Sequence, residues 1–327
     1  MDLQFTDVIA VFDIGRTWKR FRLFDRNLNS LHTDERIIAA LTDEKGMPGE
    51  DLLAIASWME ACLRGAAGTS LYRIIVVSVA AGDDSLSELE KILAALVKSG
   101  VAGDAVSSSR SINSTSASLV PYMNSSDKPF ILVSTGTWCT FLNPYAYEPA
   151  ENGKKPKSSR FLLGEIHDRN VTILDDHFGV TGELYKTIKI KHKKILKIQA
   201  NRRGRVFFRH GIPEGLADTA AVLSHFLTYA DAYHQMIYDL VDECLPAFSQ
   251  IITEDDTTEI VYITGGFAMN DTFVRTLAAR IPGKRVYAST IDYATALGAA
   301  MEAYREAFDT ELPPVYLGLK AILLRDE

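Results

Sequence analysis

Three short segments carry residue types that bind anionic oxygen: Asp13-Ile14-Gly15-Arg16-Thr17, Ser134-Thr135-Gly136-Thr137-Trp138 and Thr264-Gly265-Gly266-Phe267-Ala268-Met269-Asn270. In the first, Asp13 directly follows an apolar run, where its carboxylate could hold a divalent metal. Gly15 lets the backbone approach a phosphate, Thr17 offers a hydroxyl and an amide, and Arg16 can pair with the same charge. In the second, the amides around Thr135, Gly136 and Thr137 can cradle oxygen without a Lys or Arg. In the third, Gly265 and Gly266 present no side chain to block a flat ring, so an adenine can lie against their backbone. Asn270, at the start of the following helix, adds a polar group for the nucleoside. Each segment alone also reads as an ordinary turn, with Asp13 as a turn cap. Together, in this order, they point to a nucleotide held between two lobes.

Buried strands must deliver these loops. Val8–Phe12, Ile131–Ser134 and Ile260–Ile263 are short apolar runs that end at them, and Ile74–Val79 is a fourth, β-branched run. Trp18–Phe24 alternates, with Trp18, Arg20 and Arg22 on one face and Lys19, Phe21 and Leu23 on the other, so a hairpin partner is expected there. Ile37–Leu41 is expected as a third strand, and Trp138–Leu142 continues after the second loop. Two similar hairpins, one per half, suggest an internal duplication. Amphipathic spacing predicts helices over 49–64, 85–98 (capped by Ser85 or Ser87), 219–252, 271–280 and 294–305. The small residues Ala294–Ala300 suit close packing beneath the adenine pocket. Ala146–Ser159, rich in Pro, Lys and Gly, reads as an exposed connection.

The 327 residues are enough for two α/β lobes, and 47% hydrophobic with 24% charged residues is the balance of a globular protein. A net charge of −7 gives no general attraction to nucleic acid or to an anionic membrane. The basic stretch Lys186–Arg205 lacks interleaved aromatics and reads as a solvated face or hinge. Cys62, Cys139 and Cys244 form no CxxC pair and are expected as reduced thiols. Glu165, His167 and Asp168 match no standard metal spacing and read as a polar turn. No secretion signal or membrane span of about 20 apolar residues is apparent, so a cytoplasmic location is expected.

Phe12-Asp13-Ile14-Gly15-Arg16-Thr17 resembles the first phosphate motif of the FGGY carbohydrate kinases, within the actin/hexokinase/Hsp70 superfamily. Ser134-Thr135-Gly136-Thr137-Trp138 resembles their second, in the form found in rhamnulokinase- and fuculokinase-like members. The segment from Thr264 to Asn270, with Ala294–Ala300, resembles the adenosine motif and its following helix. The resemblance spans nearly the whole chain. It implies a two-lobed actin-like ATPase (ribonuclease H-like) α/β fold with ATP in the interlobe cleft, divided here into residues 1–145 and 146–327. It also implies transfer of the γ-phosphoryl of ATP to a hydroxyl of a small sugar or polyol, with Asp13 assisting Mg2+–ATP. Gly15, Arg16, Thr17, Thr135, Gly136 and Thr137 would bracket the phosphates, and Gly265, Gly266 and Asn270 would hold the adenosine. No nucleic-acid or membrane partner is implied, and a homodimer is allowed.

The chain departs from that pattern at the acceptor. Family members place an Asp base just before the second phosphate strand, and the corresponding stretch here is Asn113-Ser114-Thr115-Ser116-Ala117-Ser118, with Ser114 in its place. A serine there would lower the rate by roughly 10²–10⁴-fold, or about 3–5.5 kcal/mol of barrier. The chain also looks short between Val79 and Ser107, where the family carries much of its sugar-binding portion. Asp83 or Asp84 could substitute, with Asp84 taken as the catalytic candidate, although helix-leading carboxylates are also ordinary solvated caps. A pseudokinase that binds nucleotide without catalysis is therefore the alternative.

Overall fold

The computed structural model describes residues 5–42, 48–106, 108–150, 153–181, 207–208, 223–224 and 226–324. The basic stretch Lys186–Arg205 lies outside these residues. The chain falls into two compact units, Met1–Ser125 with Tyr293–Tyr316, and Ser126–Asp292 with Leu317–Glu327. This division differs from the 145/146 boundary drawn from sequence, because residues 130–150 hydrogen-bond into the second sheet.

The first unit is built on β1 (Thr6–Ile14), β2 (Trp18–Phe24), β3 (Ser30–Ile37), β4 (Tyr72–Ala81) and β5 (Ser108–Asn113), in the spatial order β3-β2-β1-β4-β5. The β1–β2–β3 pairings are antiparallel, whereas β4 pairs in parallel with β1 and β5. Its helices are α1 (Leu52–Ala67), α2 (Asp83–Lys98), α3 (Ser114–Ser125) and, from the later chain, α7 (Ala294–Phe308). Val8, Ala10 and Phe12 join Ile55, Met59, Leu63, Leu89 and Leu93 in one core. The third strand runs over 30–37 rather than 37–41, and its residues are mostly exposed, as suits a polar edge strand.

The second unit repeats the plan with β6 (Phe130–Thr135), β7 (Cys139–Ala150), β8 (Gly153–Phe161), β9 (Ile260–Gly265), β10 (Arg285–Ala288) and the short β11 (Lys320–Ala321). Their order is β8-β7-β6-β9-β10-β11, again with an antiparallel meander on one side of the first strand and parallel strands, β9 and β10, on the other, where β11 closes the edge antiparallel to β10. The duplication suspected from the two hairpins is thus a repeat of topology. Helices α4 (Leu163–Phe178), α5 (Tyr229–Gln250) and α6 (Asp271–Arg280) contribute to its core. The stretch 146–159 is not a loop: it forms most of the β7–β8 hairpin, whose Lys and Pro are tolerated at a sheet edge.

Helix α7 packs on α3, β1 and β4 of the first unit. Gly298 makes this possible, since a Cβ there would run into the carbonyl of Ala117 and stand 3.1 Å from Pro121 Cδ. Among the described residues, no helix is long and apolar enough to cross a membrane.

Candidate functional site

In both sheets the candidate residues gather at the carboxyl ends of the parallel strands, the edge at which open α/β sheets bind ligands. In the first unit, β1 delivers Asp13 and the Gly15–Thr17 turn. The register sets Ile14 beside Ala81 and Ala81 beside Asn113, so Gly82-Asp83-Asp84 and Ser114 follow at the same edge.

Asp13 is half-buried, and loss of hydration raises its carboxyl to about 6, although Arg20 and Arg22 pull it back. A carboxylate held at that proton affinity gains from a cation beside it. Arg16 and Thr17 are exposed at the hairpin tip, while the Gly15 amide is used to close the turn onto Trp18 O at 3.0 Å. Trp18 is 42% exposed.

Lys19 is the residue that sequence reasoning passed over. Its side chain is fully buried, and its ammonium donates to Gly15 O and Arg16 O, both at 2.9 Å, while lying 2.7 Å from Glu50 Oε2. The Gly15–Thr17 turn is thus held by a buried cation. The signal was present in the alternation, which sets Lys19 on the face of Phe21 and Leu23.

The acidic pair has a plainer setting. Helix α2 begins at Asp83, with Gly82 rather than Ser85 or Ser87 at its cap position, and the negative charges of Asp83 and Asp84 complement the helix dipole. Asp83 accepts from Asn113 Nδ2 at 2.6 Å, and Asn113 Oδ1 in turn caps α3 through the amides of Thr115 and Ser116. Asp84 is exposed.

In the second unit, the second and third loops are neighbours, because Gly265 pairs with Thr135 across adjacent parallel strands. The hydroxyl of Thr135 donates to Thr264 O at 2.5 Å and accepts from Phe267 N at 3.0 Å, so it ties the two loops together. Gly265 holds φ 85° and ψ −165°, a region essentially closed to other residues, and a Cβ there would strike the Thr135 backbone. Gly164, at the start of α4, donates its amide to Thr137 O at 3.0 Å and has no room for a Cβ against Gly136 O at 2.5 Å. The Gly136 amide itself closes the hairpin onto Trp138 O at 2.9 Å.

Gly136 and Gly266 differ from these. Both are exposed, neither has a positive φ, and a Cβ on either meets nothing within 4 Å among the described residues. No local geometry or packing requires glycine at these two positions, whereas a flat or anionic group approaching the backbone would. The backbone at these two positions is open to an approaching group.

Asn270 departs from its expected role. It is buried, its Oδ1 caps α6 by accepting from Phe273 N at 3.1 Å, and its Nδ2 donates to Tyr233 Oη at 2.8 Å. Its side chain therefore braces the loop rather than presenting itself to a nucleoside. Tyr233 lies 3.2 Å from His167 Nε2, and His167 Nδ1 lies 2.9 Å from Asp168 Oδ1. Burial pushes the Tyr233 phenol well above its ordinary range, which keeps it a hydroxyl. Glu165, His167 and Asp168 belong to α4 rather than to a polar turn, and no metal-holding cluster occurs among the described residues. Cys62, Cys139 and Cys244 are free thiols, the latter two buried.

No protein-family model and no curated protein matches the chain. Among solved structures it is similar to a carbohydrate kinase from Novosphingobium aromaticivorans, at 13% identity over 98% of this chain and 94% of that one, with a TM-score of 0.60. It is likewise similar to ligand-bound xylulose kinase from Lactobacillus acidophilus, at 10% identity, 97% and 93% coverage and a TM-score of 0.61. A third similar structure is the activator of 2-hydroxyisocaproyl-CoA dehydratase from Clostridium difficile with bound ADPNP, at 15% identity, 92% and 96% coverage and a TM-score of 0.53. The fold is the two-domain actin-like ATPase fold. At these identities the likeness is one of architecture, and the duplicated sheets with their paired hairpins are its content here.

Proposed function

We propose that this chain is an ATP-dependent phosphotransferase that moves the γ-phosphoryl group of ATP to a hydroxyl of a small sugar or polyol, as an FGGY-like kinase of the rhamnulokinase/fuculokinase type. The observation that carries the nucleotide part is the pair Gly136 and Gly266, exposed on adjacent loops and glycine for no structural reason. The carbohydrate kinases among the similar folds support the acceptor class.

In this reading the second unit takes the adenine nucleotide against the backbone of Gly136, Thr137, Gly265 and Gly266. Thr135 and Asn270 hold those loops in shape. In the first unit Asp13 would hold Mg2+, whose charge neutralises phosphate oxygens when bound, and Arg16 and Thr17 would meet the phosphates. Transfer forms an acceptor O–P bond, breaks the P–O bond to ADP and releases the hydroxyl proton to a base. Asp84, the exposed carboxylate at the strand edge shared with Asp13, is the group assigned to that proton. The proposal sets the protein in the cytoplasm.

A second reading, a nucleotide-operated switch without transfer, is favoured by Ser114 standing where the family's base is expected and by the solvated setting of Asp84. Sugar-stimulated ADP release from Mg2+–ATP, measured for the wild type, Asp13→Ala and Asp84→Ala, separates the two. The kinase reading expects stimulation in the wild type and a loss of about 10²-fold or more in both variants. Unchanged turnover in both would overturn the assignments, and nucleotide binding without any stimulation would select the switch.

A further inference from the structure

The side chains of Asp168, His167, Tyr233 and Asn270 form a continuous hydrogen-bonded line within the second unit, from an exposed carboxylate to the helix cap that ends the third loop. Asp168 is 67% exposed, His167 is 1% exposed, and Tyr233 and Asn270 are buried. One proton placement satisfies every contact along the line. Asn270 Oδ1 must accept from Phe273 N, so Nδ2 is the group that donates to Tyr233 Oη. With that oxygen accepting from Asn270, its proton points to His167 Nε2, which must then be the unprotonated nitrogen. The ring proton consequently sits on Nδ1 and is donated to the Asp168 carboxylate, which can only accept.

The line touches the third loop a second time. The His167 ring meets Phe267 edge-on with centroids 4.9 Å apart, and the Phe267 amide is the donor held by Thr135 Oγ1. Helices α4 and α5 thus grip the segment Gly265–Asn270 at its middle and at its end. A buried, fully oriented set of this kind fixes one conformation where the Gly265-Gly266 backbone alone would allow several.

We infer that His167 and Tyr233 are positioning residues for the third loop, setting the backbone against which the adenosine portion of a nucleotide lies. This rests on the nucleotide-binding reading above. The ligand-facing consequence is selective: disturbing the line weakens recognition of the nucleoside and leaves recognition of bare phosphates intact.

The test compares ADP with inorganic tripolyphosphate by calorimetry, and adds hydrogen exchange of the amides over 265–273 in the ligand-free protein. Tyr233→Phe is expected to weaken ADP binding about tenfold, leave tripolyphosphate within about twofold, and speed exchange at 265–273 only. His167→Gln, whose Oε1 can accept from the Tyr233 hydroxyl, is expected to stay closer to wild type than His167→Leu; this pair carries the test if Tyr233→Phe does not fold. Equal losses for both ligands, or no loss for either, with unchanged exchange at 265–273 would overturn the inference. If the wild type binds no ADP, the nucleotide reading fails and the exchange result alone decides. Faster exchange confined to 265–273 would uphold the positioning line, and unchanged exchange would refute it.

Discussion

Replacing Gly136 or Gly266 with alanine adds one methyl group where, among the described residues, nothing lies within 4 Å and φ is not left-handed. The folded state therefore has no steric reason to object. The unfolded chain loses freedom, so each variant is expected to be as stable as the wild type or more stable by about 0.4–1 kcal/mol. Gly265→Ala is the contrast. Its φ of 85° and ψ of −165° cost a non-glycine residue roughly 1–3 kcal/mol, and the new methyl would collide with the Thr135 backbone. A loss of about 3 kcal/mol or more is expected there. Binding should divide the variants differently. If the two loops take a nucleotide against their backbone, Gly136→Ala and Gly266→Ala place a methyl in its path and weaken ATP by about tenfold or more, about 1.4 kcal/mol. Urea unfolding and isothermal calorimetry on the three variants read both quantities. Full ATP affinity in stable Gly136→Ala and Gly266→Ala proteins would refute the reasoning, because these glycines would then answer to neither structure nor ligand.

Asp13→Asn should stabilise the ligand-free protein while removing the cation site. Its folded carboxyl lies at about 6 against an ordinary 3.8, so its destabilising contribution is absent below about pH 4, grows between pH 4 and 6, and is complete above 6. The full shift corresponds to about 3 kcal/mol, and solvent access to this half-buried group reduces the expected gain to about 1–2 kcal/mol. Unfolding curves for both proteins at pH 4 and pH 8 should therefore converge at the lower pH and diverge at the higher; parallel curves would contradict the assignment. Lys19→Met should lose about 2–4 kcal/mol, since it strips a buried cation from two carbonyls and Glu50. Lys19→Arg should not restore it, because a planar guanidinium cannot take the ammonium's place among three convergent oxygens, and thermal melts of the two variants check this.

Much of the fold was legible because buried parallel strands announce themselves as apolar runs that stop at glycine. The runs before Asp13, Thr135 and Gly265 became β1, β6 and β9, the helix expected over 271–280 is α6, and the helix expected over 219–252 is α5, which starts only at Tyr229 behind the Thr228 cap. The losses have physical causes. Pro, Lys and Gly made 146–159 look like a loop, yet an exposed edge hairpin accepts those residues. Alanine and glycine in 294–300 spoke for close helix packing, which sequence reasoning assigned to the adenine pocket, whereas the helix they form packs on α3. At the site, backbone devices were readable and side-chain commitments were not. Asn270 looks like a ligand in sequence, but helix capping and Tyr233 consume it. His167 was read with Glu165 and Asp168 as part of a polar turn, although its spacing with Leu163, Ile166, Asn170 and Leu174 on α4 marks a buried position.

The most direct measurement is calorimetric titration of the purified protein with ATP and Mg2+, followed by ADP release against a panel of ketoses, pentitols and hexoses. The account predicts ATP binding that Asp13→Ala weakens, and release stimulated by at least one sugar or polyol. ATP binding with no stimulation across the panel would contradict the transferase claim, and no ATP binding would contradict the site itself.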